Sequence, residues 1–246
     1  NKAEVIRKSL EKAGAKKIIC GMDENSASDS RWHTGHLLQQ ENYSHILQQL
    51  LKTPWLGVIF KPKKSNTLHS RLGEVDILLK EALKTGRCVL LGESGKNVSN
   101  VPAILAGLVA DVCVHGHLCA GTAAIECSLL GKPTILIDRE GSPYSLLHEL
   151  EENEVVFNNW PDAIDAIIEY FKFEQVNKKF GDWSDIIEQL DPFNDNKAGE
   201  RISSYLEMLL NGLKQGVDRD KLLLDVASKY ADLWGSDKVI ENNKSI

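Results

Sequence analysis

No stretch of this chain approaches the roughly 20 consecutive apolar residues that a membrane-crossing helix needs, so no span of a bilayer is expected. There is no basic excess either. Lys and Arg number 29 against 35 Asp and Glu, a formal charge of -6 over 246 residues, which argues against nucleic-acid binding because that needs a broad basic face. The five cysteines are odd in number and carry no metal-ligand spacing; they read as reduced core thiols of a cytoplasmic protein. His115-Gly116-His117 lacks a nearby third ligand, and no metal or cofactor is expected. Gly95-Lys96 has no preceding glycine at Walker spacing, which excludes a P-loop.

What the chain does contain is alternation. Short runs rich in β-branched residues, at 17–21, 56–60, 88–91, 111–115, 134–137 and 155–157, are separated by helical spacing at 36–52, 68–85, 102–109, 121–130, 143–150 and 161–173. Strands separated by helices predict a parallel sheet covered on both faces, a Rossmann-like, doubly wound α/β fold of about six strands. Beyond Phe173 the strand pattern stops, and Leu206, Leu209, Leu210 and Leu213 form an apolar stripe, as do Leu222 to Leu224, Val226, Tyr230 and Trp234. The expected division is therefore a sheet domain over 1–175 and a helical C-terminal extension over 176–246. That extension reads equally as a cap, a crossover helix or a docking surface. The first segment, Ala3 to Ala13, has amphipathic spacing, and the chain is expected to be part of a longer polypeptide.

The densest signal is Ala120-Gly121-Thr122-Ala123-Ala124-Ile125-Glu126, followed by Gly131-Lys132-Pro133 and the buried run from Thr134 to Ile137. A helix that opens on Gly121 and Thr122 aims its first N–H groups and its positive dipole end beyond the sheet, where a phosphate would sit. This unit resembles the donor-binding C-terminal half of GT-B glycosyltransferases, in the form seen in lipid A disaccharide synthase and the nucleotide-sugar 2-epimerases. The resemblance covers about residues 16–173 and implies a nucleotide-sugar donor, with Glu126 on the ribose hydroxyls and with Gly121 and Thr122 on the phosphates.

Lys61-Pro62-Lys63 ends the second strand on the same edge of the sheet, and is similar to the Lys or His-Pro pair that such families place against the donor phosphate. The polar loop from Asp23 to His36 offers Arg31 as a fork for a phosphate or a sugar carboxylate, and Asp23, Glu24, Asp29, His33 and His36 as acid–base groups. Asp29 or Thr34 would cap the helix that follows. His117 is placed in the phosphate loop as a donor to the ligand. The stretch from Glu93 to Pro102 corresponds to the base-binding region, and Asp138 to Pro143 to the sugar. Retaining members often have a second Glu eight residues after the first, where this chain has Thr134, which favours an inverting enzyme.

These readings predict the donor-binding domain of a glycosyltransferase of surface polysaccharide or glycolipid assembly, with a missing N-terminal acceptor domain and peripheral membrane association through its acceptor. No catalytic residue is assigned. A nucleotide-sugar 2-epimerase and a non-catalytic scaffold of the same fold remain open alternatives.

Overall fold

The computed structural model describes residues 1–28, 35–92, 101–118, 121–139, 145–173 and 179–238. They form two compact units, Asn1–Asp185 and Ile186–Ile246. In the first, six strands make one sheet: β1 (Lys17–Met22), β2 (Leu56–Lys61), β3 (Cys88–Leu90), β4 (Val112–His115), β5 (Thr134–Ile137) and β6 (Val156–Phe157). Their order is β3-β2-β1-β4-β5-β6, and every neighbouring pair is parallel. The order reverses at β1, so the crevice beyond the C-terminal ends of β1 and β4 is where such a sheet binds ligands.

Successive strand residues point to opposite faces, and both faces are buried. Ile19, Val58, Phe60, Val112 and Val114 build one core with Tyr43 and Leu47 of α2 (His36–Lys52) and Trp160 and Ile167 of α7 (Trp160–Lys172). Ile18, Cys20, Ile59 and Cys113 build the other with Leu10 of α1 (Lys2–Lys12), Val109 of α5 (Ala103–Val109) and Cys127 of α6 (Thr122–Leu129). Caps define where several helices begin. Asn1 and Glu4 form a capping box on α1, and the Asn159 side chain accepts from the backbone N–H of Asp162 in α7.

The predicted strands and observed strands coincide to within about a residue at each end. Two helical expectations are corrected. The segment 68–85 is two helices, α3 (Leu68–Leu72) and α4 (Val75–Lys84), because Gly73 lies between them at φ 54, outside the helical region. The described part of the segment 143–150, from 145 on, holds a 3-10 turn at Leu146–Glu149 and no α-helix, begun by the Ser145 side chain accepting from Leu147 N at 3.2 Å.

A helix α8 (Ser184–Leu190) crosses the division, and α9 (Ala198–Lys214) and α10 (Arg219–Trp234) form a hairpin in the second unit. At Gly212 α9 and α10 pack closely: a Cβ there would lie 2.1 Å from Leu222 Cδ1. Arg201 is buried yet paired with Asp195 at 2.8 Å, and its guanidinium lies 3.7 Å from the Phe193 ring centroid. That pairing holds the Asp195 carboxyl down at about 2. Leu206, Leu210 and Leu213 remain exposed. Among the described residues no helix is long and apolar enough to cross a membrane.

Two glycines separate backbone strain from packing. Gly131 and Gly181 both have positive φ, at 69° and 66°, but a Cβ on Gly131 meets nothing within 4 Å whereas one on Gly181 would lie 2.5 Å from Thr134 N. Alanine at Gly131 is expected to cost about 1–2 kcal/mol from the left-handed conformation alone. Alanine at Gly181 should cost more by at least ~1 kcal/mol, because it must also push β5 aside. Urea unfolding of the two variants checks the difference; equal losses would mean that the approach of Gly181 to β5 is not rigid.

Candidate functional site

The site begins with Asp23, the residue after β1. It is 5% exposed. Its Oδ1 accepts from Lys63 N at 2.6 Å, and its Oδ2 from Gln39 Nε2 at 2.6 Å and Tyr43 OH at 3.0 Å. Burial pushes this carboxyl up; the three donors and the charge of Arg71 pull it part of the way back. The ends of β1 and β2 are thereby tied to each other and to α2. Glu24 adds an ion pair with Lys63 Nζ at 3.1 Å.

This tie fixes Lys61, the last residue of β2. Its side chain is half-buried, and Nζ donates to Pro62 O at 2.9 Å; among the described residues it has no carboxylate in ion-pair contact. Burial pushes the ammonium down, opposed by the charges of Asp23 and Glu126. Opposite stands the start of α6. Gly121 occupies the cap position, and among the described residues no side chain caps the helix. A Cβ on Gly121 would lie 2.9 Å from Leu147 Cδ1, so a larger residue there would have to displace the end of the Leu147 side chain. Thr122 and Glu126, four residues apart, share one face of the helix and are exposed. The Glu126 carboxylate has no hydrogen-bond or ion-pair partner among the described residues.

These groups enclose a cavity of about 170 Å³ lined by Met22, Asp23, Lys61, Lys63, Thr122 and Glu126 among others. It holds an ammonium without a carboxylate partner, an uncapped helix N-terminus and a carboxylate with lone pairs to offer. An anion is favoured by the first two, and a pair of hydroxyl donors by the third.

Of the residues expected from sequence, the cavity brings together Lys61, Lys63, Thr122 and Glu126, with Gly121 shaping the helix start. His117 is elsewhere: it is 2% exposed, with Nε2 3.4 Å from Asn42 Nδ2. Asn42 also accepts from Trp160 Nε1 at 2.9 Å and from Arg139 Nη2. It fills the space above Gly116, where a Cβ would lie 2.1 Å from Asn42 Nδ2. Arg139 pairs with Glu41 as well, so this residue of the expected sugar segment is drawn toward α2. Arg31, Asp29, His33 and Thr34 lie outside the described residues, as do 93–100, 119–120 and 140–144. Of the polar loop's acid–base candidates among the described residues, Asp23 and Glu24 line this cavity and His36 does not.

Sequence reading missed Gln39, Asn42, Tyr43 and Arg71. One signal was available: the buried stripe of α2, Gln39, Asn42, Tyr43, Ile46, Leu47 and Leu50, begins with polar residues, and a buried polar side chain must find partners. Nothing local marked Arg71.

The architecture is a doubly wound parallel sheet with its candidate site at the strand C-termini. No protein-family model matches the chain, and no curated protein matches it. Among solved structures it is similar to the S. aureus MnaA–UDP co-structure, with a TM-score of 0.50 at 14% identity, over 82% of this chain and 48% of that one. It is also similar to the C-terminal domain of a glycosyl transferase group 1 family protein (LpcC) from Francisella tularensis, at TM-score 0.47 and 13% identity, over 78% of this chain and 92% of that one. The chain thus spans about half the length of the MnaA chain.

Lys61 carries a charge that burial disfavours, so it is expected to weaken the fold while serving the cavity. A folded-state pKa below the unfolded one means that the penalty is absent above the unfolded value, grows as pH falls from there towards the folded value and is fully present below it. Lys61→Met should therefore unfold at a higher midpoint than the wild type near neutral pH, and the gap should close at alkaline pH. A gap that does not change with pH would show that the charge is not its origin.

Proposed function

We propose that this chain is the donor-binding domain of a GT-B-type glycosyltransferase, transferring a sugar from a nucleotide-sugar to an acceptor in surface polysaccharide or glycolipid assembly in the cytoplasm. The observation that carries the reading is the convergence of Lys61, the α6 N-terminus and Glu126 on one cavity at the switch point of the sheet. Lys61 and the first N–H groups from Gly121 and Thr122 hold the donor phosphates, and Glu126 accepts from the ribose hydroxyls. At about 170 Å³ the cavity is smaller than the ~300–1,000 Å³ of sites that take whole small molecules, which suits a phosphate and the hydroxyls next to it.

Transfer from such a donor leaves negative charge on the departing nucleoside phosphate. A preorganised ammonium and a helix dipole stabilise that charge more in the transition state than in the ground state, which lowers the barrier. Lys63, engaged with Glu24, adds longer-range positive potential, and Arg31 adds a fork for the phosphate or the sugar. The missing N-terminal domain brings the acceptor and the base that deprotonates it, and the outcome at the anomeric carbon is inversion.

Calorimetry with UDP, CMP, CDP, GDP and ADP tests the site. One nucleotide is expected to bind selectively, and the Thr122→Val, Glu126→Ala double variant to lose about tenfold or more in affinity, as loss of two polar contacts implies. Absence of binding by every nucleotide would favour the scaffold alternative. Epimerised sugar from intact protein given donor alone would replace transfer by 2-epimerisation at the same site.

A further inference from the structure

A second cavity, of about 710 Å³, lies along the segment after β1 and shares no lining residue with the first. Its size falls within the ~300–1,000 Å³ range of small-molecule sites. No Asp or Glu lines it among the described residues, whereas Lys64, Arg71 and His36 do. Lys64 is exposed and has no carboxylate in ion-pair contact among the described residues. Arg71 is 6% exposed and donates to Lys64 O at 2.7 Å, Thr67 O at 3.2 Å, Ser26 Oγ at 3.2 Å and Gln39 Oε1 at 3.1 Å. None of these acceptors is charged. Lys64 and Arg71 thus make the described lining cationic, with the Asp23 carboxylate behind Arg71 and outside the lining.

The same hydrogen bonds set the tautomer of a neutral His36. Gln39 gives its nitrogen to Asp23, so its Oε1 faces Ser26 at 2.6 Å and can only accept. Ser26 has one proton and it goes to that oxygen. The Ser26 Oγ to His36 Nδ1 contact, at 2.7 Å, must then be donated by the imidazole. Neutral His36 is thereby fixed as the Nδ1–H tautomer, with Nε2 left as the acceptor. Ser28, Thr67 and Ser70 add hydroxyls to the lining, each able to donate or accept.

We propose that this groove binds an anionic sugar, a hydroxyl-rich ring carrying one carboxylate or phosphate, with Lys64 on the charge and His36 Nε2 accepting from a ring hydroxyl. The site is separate from the donor cavity and does not depend on the nucleotide reading.

NMR of the isotope-labelled chain, titrated with glucuronate, glucose-6-phosphate, glucose and inorganic phosphate, tests it. Saturable shifts at His36, Lys64 and Ser70 are expected from at least one charged sugar, and which of the two binds more tightly names the anion. Lys64→Ala, at an exposed position, should weaken that binding about tenfold, as loss of a charge-assisted hydrogen bond implies. The Thr122→Val, Glu126→Ala variant should leave it unchanged, which separates failure here from failure at the nucleotide site. Ring-nitrogen shifts should report Nδ1–H on His36; an Nε2–H tautomer would remove its assigned role. The proposal is overturned if neither charged sugar shifts these signals, if glucose or inorganic phosphate alone does so equally, or if Lys64→Ala binds like the wild type.

Discussion

Taking a carboxylate out of water costs several kcal/mol unless donors replace the water it loses. Asp23 meets that requirement with donors from two other parts of the chain: the backbone of Lys63 beyond β2, and the side chains of Gln39 and Tyr43 on α2. The cost of leaving any one of them unpaired is what holds the loops in place. On one side of the carboxylate the bond to Lys63 N sets the course of the chain just after Lys61, and so the wall of the small cavity. On the other, Gln39 relays the constraint to Ser26, Arg71 and His36, and so to the larger one. Tyr43 anchors the arrangement in the core by stacking on Phe60, with ring centroids 4.5 Å apart.

Helix α2 works in two halves. Its C-terminal half packs Ile46, Leu47 and Leu50 on the sheet as an ordinary amphipathic helix does. Its N-terminal half presents Gln39, Asn42 and Tyr43 along the same stripe, and these organise the C-terminal ends of the strands. Asn42 does for β4 and β5 what Gln39 does for β1: it takes Trp160 and Arg139 on its oxygen and sits where Gly116 has no side chain. The expectation that His117 faces a ligand met this packing, which encloses the imidazole beside Asn42.

The sheet was legible because its information is local. Buried parallel strands are short β-branched runs, and the stops between them are glycines and polar turns, so Thr134 to Ile137 could be placed without any knowledge of its neighbours. Thr122 and Glu126 were legible for the same reason: helical spacing alone puts them on one face. Lys61 was legible as a strand end. What was not legible is partnership across the sequence. Asp23 and Lys63 are 40 residues apart, and Ser26 and Arg71 are 45. No periodicity encodes such pairs. Gly73 shows a smaller version of the limit, since apolar spacing continues through it while the backbone leaves the helical region.

The fold leaves two charges near each other incompletely answered. Lys61 is partly desolvated without a carboxylate in contact, and Glu126 is exposed with no bonded partner among the described residues; each feels the other only through space. Closing them into an ion pair would relieve both and fill the mouth of the cavity. Their separation is set by the elements that carry them: Lys61 is paired with Met22 of β1, and Glu126 rides on α6. A stable sheet thus keeps apart two opposite charges that would gain by meeting.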